Sequence, residues 1–336
     1  MMTAADEFAV AAEPFRRELL VHCYRMLGSV HDAEDLVQET LLRAWRSYET
    51  FDGQRASLRT WLYRIATNAC LTALDQRGRR ALPADLTSPG APDVSEQALN
   101  GSRRLDVPWL EPFPDALADP AAVAAGRERI RLAFIAALQN LLPRQRAVLL
   151  LREVLGMRAD EVAGMLGTST TAVNSALQRA RAVIREIAPD EIGEPSDVAQ
   201  RDAVNRYMTA FVNSDVAGLT KLLADDAIMQ MPPVLMWFSG REDIARFLAA
   251  RFSSPSAPAR ALLTRANGQP AFAIYRQGAA GTFRPRSIQV LSVRADGLID
   301  RIDSFLDASL FAAFALPDKL LTDGGDKQCC RGRHFA

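Results

Sequence analysis

The 336-residue chain predicts a multidomain protein in which two all-α domains, joined by a proline-rich linker, precede an α+β domain. Three observations carry this. Apolar residues recur at helical spacing over 13–81 and again over 127–188. Between them, residues 82–120 hold seven of the eighteen prolines, which cannot continue a helix. From 199 to 320 the pattern changes to helices followed by a meander of long strands.

Hydrophobic residues make up 49% of the chain, enough for sizeable cores. Runs of 18 apolar residues are absent, so no membrane partner is expected. The N-terminus, "MMTAADEFAVAAEPFRREL", carries acids where a signal peptide needs a basic start, and a cytoplasmic protein is expected. The cysteines, Cys23, Cys70, Cys329 and Cys330, form no CxxC pair, and Cys329 and Cys330 near His334 lack ligand spacing. Reduced thiols, no metal and no cofactor are expected. The net charge is zero but segregated. Residues 127–187 hold ten Arg and five acids, whereas 82–120 hold two Arg and seven acids. A basic helical block beside an acidic linker points to a nucleic-acid surface with an internal competitor.

In the first domain (13–81), "PFRRELLVHCYRMLGS" places Phe15, Leu19, Leu20, Cys23, Tyr24 and Leu27 on one stripe. Ser29 and Asp32 are capping types ahead of "AEDLVQETLLRAWRSY". There Leu36, Val37, Thr40, Leu41 and Trp45 form the apolar stripe, with Glu34, Asp35, Gln38, Glu39 and Arg43 around it. The Asp-Gly pair makes "FDGQRAS" a loop. "LRTWLYRIATNACLTALDQRGRR" then resumes a helix that ends in Arg77, Arg79 and Arg80. The linker (82–126) contains "VPWLEPFPD", whose Trp109, Leu110 and Phe113 a flexible tether would not need, so this patch is expected to dock.

Residues 127–188 predict four helices. Pro143 suits a helix start, and Gly156 and Gly167 suit helix ends. The short turn before the last helix predicts a helix-turn-helix. In "LGTSTTAVNSALQRARAVIRE", Val173, Leu177, Ala180 and Ile184 share one face, leaving Thr171, Asn174, Ser175, Gln178, Arg179 and Arg181 to a polar surface. After a second linker, "PDEIGEPSDV", the segments "QRDAVNRYMTAFVNSD", "VAGLTKLLADD" and "REDIARFLAARF" predict helices. "AIMQMPPVLMWFSG", "RALLTRANGQPAFAIYRQG" and "TFRPRSIQVLSVRADGLIDRIDSFLD" predict extended chain, with "ADGL" a hairpin turn. The tail (321–336) is expected to be disordered.

Two long motifs resemble the extracytoplasmic-function sigma factors of bacterial RNA polymerase. "DAEDLVQETLLRAW" with "FDGQRASLRTWLYRIATNA" is similar to region 2 of that family, and "LLPRQRAVLLLREVLGMRADEVAGMLGTSTTAVNSALQRARAVI" to region 4. The C-terminal part resembles SnoaL-like domains of the nuclear-transport-factor-like fold. "WLEPFPD" and "LPDKL" resemble motifs of the sigma factors that carry such an extension.

The resemblance implies roles. Asp35, Gln38, Glu39 and Arg43 would dock on a coiled coil of core RNA polymerase. The Phe51–Ser57 loop and Asn68 would read the −10 promoter element as a single strand, with Trp61 and Tyr63 either stacking on bases or packing in the core. Arg77, Arg79 and Arg80 suit phosphates. Asn174, Ser175, Gln178 and Arg179 would enter the major groove of the −35 element, with Arg181 and Arg185 gripping phosphates. Many relatives carry Arg where this chain has Asn174, which leaves the −35 sequence open. The residues identify no anti-sigma partner.

SnoaL-like folds form a cone with an apolar pocket. Strand Leu298–Phe305 alternates, placing Ile299, Arg301, Asp303 and Phe305 on one face. Either that face lines a pocket, with Arg301 and Asp303 its polar groups among Met229, Met231, Trp237 and Tyr275, or Arg301 and Asp303 face solvent or pair with each other. The domain has no His before His334 and one nominated carboxylate, so no enzyme activity is expected. A module regulating the sigma core is favoured; the alternative is a small isomerase or hydrolase, or a ligand sensor.

Overall fold

The computed structural model describes residues 4–54, 56–92, 95–118, 131–187, 197–253, 258–278 and 281–321. Helices α1 (Ala4–Ala12), α2 (Arg16–Leu27), α3 (Val30–Arg46) and α4 (Leu58–Arg77) form the first helical unit. Helix α1 was not anticipated; its Phe8 is buried edge-on against Tyr48. Gly28 ends α2 in the left-handed conformation, and Ser29 caps α3 by accepting from the Asp32 amide at 3.1 Å. Ser57 does the same for α4 through the Thr60 amide. The core of α3 is Val30, Ala33, Val37, Thr40 and Ala44. Trp45, assigned to that stripe from spacing, is 48% exposed. The stripe turns one position away because Ala33 and Ala44 let α2 and α4 approach closely.

The second unit contains α6 (Leu132–Gln139), α7 (Pro143–Leu149) running on into a π-helical turn (Leu150–Val154), α8 (Ala159–Leu166) and α9 (Thr170–Ile187). Pro143 stands in the first turn of α7, and Gly156 and Gly167 have positive φ, as expected of a helix start and two helix ends. The expected helix start at 127–130, the linker beyond Ala118 and the tail from Thr322, with Cys329, Cys330 and His334, lie outside the described residues.

The third unit holds α10 (Asp197–Val212), α11 (Val216–Leu222), β1 (Leu223–Gln230), β2 (Trp237–Ser239), α12 (Arg241–Ser253), β3 (Ala259–Ala266), β4 (Gln269–Gln277), β5 (Phe283–Val293), β6 (Ile299–Phe305) and the short α13 (Leu310–Ala313). "LADD", read as helix, is instead the start of β1; leucine and alanine fit either state, and pairing with β6 decides it. The strands form one mixed sheet in the order β2-β1-β6-β5-β4-β3, with only β1 and β6 parallel. Asn267 and Gly268, both at positive φ, make the two-residue turn between β3 and β4. Gly297 makes the expected turn between β5 and β6.

The sheet is covered on both faces. One face packs Phe272, Ile274, Leu291 and Ile302 against Tyr207 and Phe211 of α10 and Leu219 of α11. Residues of the opposite parity, Ala271, Ala273, Tyr275, Ile288, Val290 and Phe305, belong to a core that is continuous with both helical units. Leu82, Leu110, Phe113 and Ala118 of the linker lie in this seam, whereas Leu99 of α5 (Glu96–Gly101) belongs to the core on the other face. Leu110 and Phe113 are 1% and 0% exposed, so the apolar patch of the linker does dock. Burying two such side chains contributes roughly 1.5–3 kcal/mol each.

Candidate nucleic-acid interface

Helix α9 begins at Ser169, whose hydroxyl accepts from the Ala172 amide at 3.2 Å. Val173, Leu177 and Ala180 are buried against the other helices of the unit. Burial of that stripe turns Thr171, Asn174, Gln178, Arg179, Arg181 and Arg185 outward, all exposed, with Ser175 half-buried. Arg181 is held by Glu153, its Nε donating at 2.7 Å, and Arg185 donates to the Arg181 carbonyl at 3.3 Å. Asn174, Gln178 and Arg179 are therefore the exposed groups at the N-terminal end of the helix suited to base edges.

In the first unit, Asn68 is exposed on α4, while Tyr63 on the same helix is 1% exposed. The Tyr63 hydroxyl donates to Glu18, which also takes the Arg59 guanidinium at 2.8 Å. Burial and the Glu18 charge raise the Tyr63 phenol well above its usual range. Tyr63 is thus a structural residue. Trp61 is half-buried against Phe51, ring centroids 4.9 Å apart, which seats the 51–57 loop on α4. The Asp52 side chain accepts from the Gln54 amide and tightens that loop.

The basic cluster after α4 divides. The Arg77 side chain is outside the described atoms. Arg79 donates to Asn140 of the second unit at 2.6 Å. Arg80 is an interior residue here: it pairs with Asp32, donates to the Trp109 carbonyl at 2.6 Å and lies 3.6 Å from Glu111. Of three arginines expected at phosphates, Arg80 is committed to the chain itself in this conformation.

On α3, Asp35 and Gln38 are exposed and Glu39 is half-buried; Glu39 accepts from Arg43 at 2.6 Å, one turn on. Leu42 and Trp45, each 48% exposed, stand on the same face. Mixed charge around exposed apolar groups is the composition of a protein contact. Periodicity alone assigned Trp45 to the core.

The six residues nominated for a pocket in the third unit do not come together. Met229 and Met231 are buried on the helix-covered face. Tyr275 is on the opposite face, donating to the Pro317 carbonyl at 2.9 Å and packing edge-on against Phe311. Trp237 lies at the linker and donates to the Thr87 carbonyl at 2.8 Å. Asp303 is 1% exposed and accepts from Gln230 at 2.5 Å. Gln230 in turn accepts from the Ala84 amide of the linker. Arg301 is half-buried. The sheet packs on both faces, so alternation along β6 did not separate a pocket face from a docking face.

A latch joins the three units. The Tyr24 hydroxyl donates to the Glu111 carbonyl at 2.8 Å and accepts from the Asn267 amide group at 2.8 Å. Asn267 also accepts from the Phe113 amide, and its own amide donates to the Phe113 carbonyl at 2.9 Å. The Glu111 carboxylate caps α3, accepting from Ser29 at 2.8 Å and the Val30 amide at 3.0 Å, and sits 3.0 Å from His31. That bond raises the His31 pKa. A second tie is Arg146 of α7, 1% exposed, which donates to the Met26 carbonyl at the end of α2 and to Gln139 at 2.7 Å. Burial lowers its pKa to about 10. A third is the Leu132 amide, which donates to Gln269 at 3.1 Å. Sequence reading found the "WLEPFPD" patch but missed Tyr24, Asn267 and Arg146 as its counterparts. The one available signal was an arginine inside the apolar run "PRQRAVLLL".

Family models match along the chain: Sigma-70 region 2 over residues 12–80, Sigma-70 region 4 over 131–184 and a SnoaL-like domain over 204–302. The chain belongs to the ECF RNA polymerase sigma factors, the promoter-specificity class of transcription initiation, and carries a C-terminal SnoaL-like domain. It is similar to the ECF RNA polymerase sigma factor SigG of Mycobacterium tuberculosis, 48% identical over 321 residues, 94% of this chain and 85% of that protein. The crystal structure of the extracytoplasmic function sigma factor SigJ of the same organism has the same fold, with a TM-score of 0.59 at 24% identity over 92% of this chain and all of that one. Among the described residues no helix is long and apolar enough to cross a membrane.

Proposed function

We propose that this chain binds core RNA polymerase through the α3 face of Asp35, Gln38, Glu39, Leu42, Arg43 and Trp45. The polymerase is then directed to promoters whose −10 element is read around Asn68 and the 51–57 loop, and whose −35 element is read by α9. Support for the −35 assignment is the outward array of Asn174, Gln178 and Arg179 beside a fully packed apolar stripe. Arg on guanine and Asn or Gln on adenine each discriminate by about 1–3 kcal/mol.

The C-terminal domain, in this proposal, regulates by holding regions 2 and 4 together. The observations that carry it are the Tyr24–Glu111–Phe113–Asn267 latch on region 2 and the Leu132–Gln269 hydrogen bond on region 4, both made by the same β3–β4 hairpin. The two promoter elements lie about 25 base pairs apart by their names, about 85 Å of duplex. With 81–118 docked, only thirteen residue steps, Ala118 to Arg131, connect the docked segment to region 4. At 3.3–3.6 Å each they reach at most about 45 Å. Docking of 81–118 therefore limits how far region 4 can move from region 2, and undocking it would lengthen the tether between the two readers. Runoff transcription with core polymerase tests this. The full chain should be active on its promoter, and Asn267→Gly, which keeps the left-handed turn but removes the latch side chain, should change the yield several-fold. An unchanged yield would reject the latch as regulator.

A further inference from the structure

Helix α1 stands almost wholly ahead of the region 2 match, which begins at residue 12, and takes no part in the contacts assigned to polymerase or promoter. Among its described side chains the buried ones are Phe8 and Ala12, 5% and 2% exposed. Phe8 meets the Tyr48 ring edge-on, with centroids 5.1 Å apart and the planes at 62°. Tyr48 lies parallel to Phe51 within 9°, at 6.1 Å. Phe51 rests on Trp61 of α4 at 4.9 Å and 36°. Four rings thus run in one row from α1 to α4. Pairs at such separations, offset or edge-on, attract one another beyond the area they bury.

Local backbone sets the middle of the row. Tyr48–Thr50 is a 3-10 turn, in which the Phe51 amide donates to the Tyr48 carbonyl at 3.0 Å and the Thr50 hydroxyl to the Ser47 carbonyl at 2.8 Å. Residues three apart eclipse in such a turn, which brings the Tyr48 and Phe51 rings to one side. Both rings are half-buried, and the residues that follow, Asp52, Gly53 and Gln54, are exposed. The row supports the start of that loop from two helices, through Trp61 on one side and through Tyr48 and Phe8 on the other. Asn68 follows Trp61 by seven residues, two turns of α4, so the two share a face about 10 Å apart along the axis.

We propose that α1 belongs to the −10 reader, with Phe8 a positioning residue that acts through Tyr48 and Phe51 to hold the 51–54 loop at a fixed distance from Asn68. This rests on the −10 reading proposed above for that loop and Asn68. An unstacked base is recognised by groups that close on it from more than one side. Such groups discriminate only when held to within about 0.5 Å of their working geometry. A loop that drifts leaves the phosphate contacts in place and blurs the base contacts, and it is the base contacts that specify sequence. Helix α1 therefore contributes to discrimination at the −10 element more than to affinity.

The test is transcription by the full chain with core RNA polymerase from a duplex library randomised over both promoter elements, each template barcoded in its transcript. The readout is the preference ratio at each position, the yield with the best base over that with the next. A variant that only loses folded protein lowers every template alike and leaves this ratio unchanged. Phe8→Ala should lower the ratio at one or more −10 positions by about threefold or more, with the −35 ratios at their parental values. Phe8→Leu, which refills most of the space, should recover most of that loss. Tyr48→Leu, at a half-buried site, should act as Phe8→Ala does and serves if that variant does not fold. Adding Phe8→Ala to Phe51→Leu should cost no more than Phe51→Leu alone, since both act on one loop. A folded Phe8→Ala or Tyr48→Leu chain with parental −10 ratios would overturn the proposal, as would equal losses at the −35 element. Asn68→Ala separates this from the reading beneath it. If that variant leaves the −10 ratios unchanged, the −10 assignment itself fails; if it lowers them and Phe8→Ala does not, only the role of α1 fails.

Discussion

Gly28 occupies a site that no other residue fits. Its φ is +72°, and a Cβ there would stand 2.8 Å from the Leu110 side chain and 3.1 Å from Gln139. Its carbonyl accepts from the Glu111 amide at 2.9 Å. The left-handed conformation alone costs a side-chain-bearing residue roughly 1–2 kcal/mol. Gly28→Ala should therefore lower the melting temperature and raise protease cleavage within 81–118, read by limited proteolysis. Two buried titratable groups give opposite pH signatures. His22, fully buried on Thr67, has its pKa lowered to about 3 by burial and by Arg25 and Arg59. The unfolded chain takes up this proton below about 6.5 and the folded chain does not, so stability falls with pH from there to about 3, by up to about 1.4 kcal/mol per unit. His22→Gln should flatten that part of the stability curve in urea titrations. Asp303 is the reverse, its pKa raised first by burial. Folding then favours the protonated form, and stability falls as pH rises above the ordinary carboxylate range. Asp303→Asn should melt higher than the parent at pH 8, the gap closing toward pH 4.

At the scale of elements, each helix is defined by what its apolar stripe is packed against. Helix α9 lays Val173, Leu177 and Ala180 on its own unit, which leaves its polar face for DNA in the proposed reading. Arg179→Ala should then relax base preference at one position of the −35 element, at a cost of about 1–3 kcal/mol. Arg185→Ala should weaken all sequences alike and lower the salt slope by about 1. A binding-site selection on both variants checks this. The β3–β4 hairpin is positioned by the same logic: an Asn-Gly turn needs no side-chain partner, yet Asn267 uses its amide on Tyr24 and Phe113. Phe113→Ala removes the apolar half of that contact and should destabilise by about 3–5 kcal/mol, read by denaturant titration.

At the scale of the whole molecule, one continuous core joins region 2, the linker, region 4 and one face of the C-terminal sheet. In the proposed reading the structure is the closed state, with Arg146 and Gln269 holding region 4 as Asn267 holds region 2. Opening requires a difference in contact energy of a few kcal/mol, which polymerase and DNA can supply by binding the open form better. Dyes at Glu49 and Glu186, both exposed, should show a short distance in the free chain. Energy transfer should fall sharply when core polymerase and promoter are added; persistence of the short distance in an active complex would reject the closed-to-open reading. Removing everything after Pro195 should change runoff transcription strongly, whereas removing Thr322–Ala336 should do little.

The sequence by itself determined the helices of regions 2 and 4, their glycine and proline boundaries and the outward polar face of α9. These follow from local rules of spacing and capping that act within one element. It also marked Trp109, Leu110 and Phe113 as residues in need of a surface, because apolar groups on a proline-rich segment have no local partner. Only the tertiary structure decided what that surface is. Spacing could not tell that both faces of the sheet are buried, so it left open whether Arg301 and Asp303 of β6 line a pocket with Tyr275 of β4; Asp303 is turned to the linker and Tyr275 to α13. Nor could it tell that Trp45 is exposed while Arg146 is enclosed, or that Arg80 serves Asp32 and Glu111. Each of those outcomes depends on residues far apart in the chain, and long-range partners leave no periodic trace in either segment.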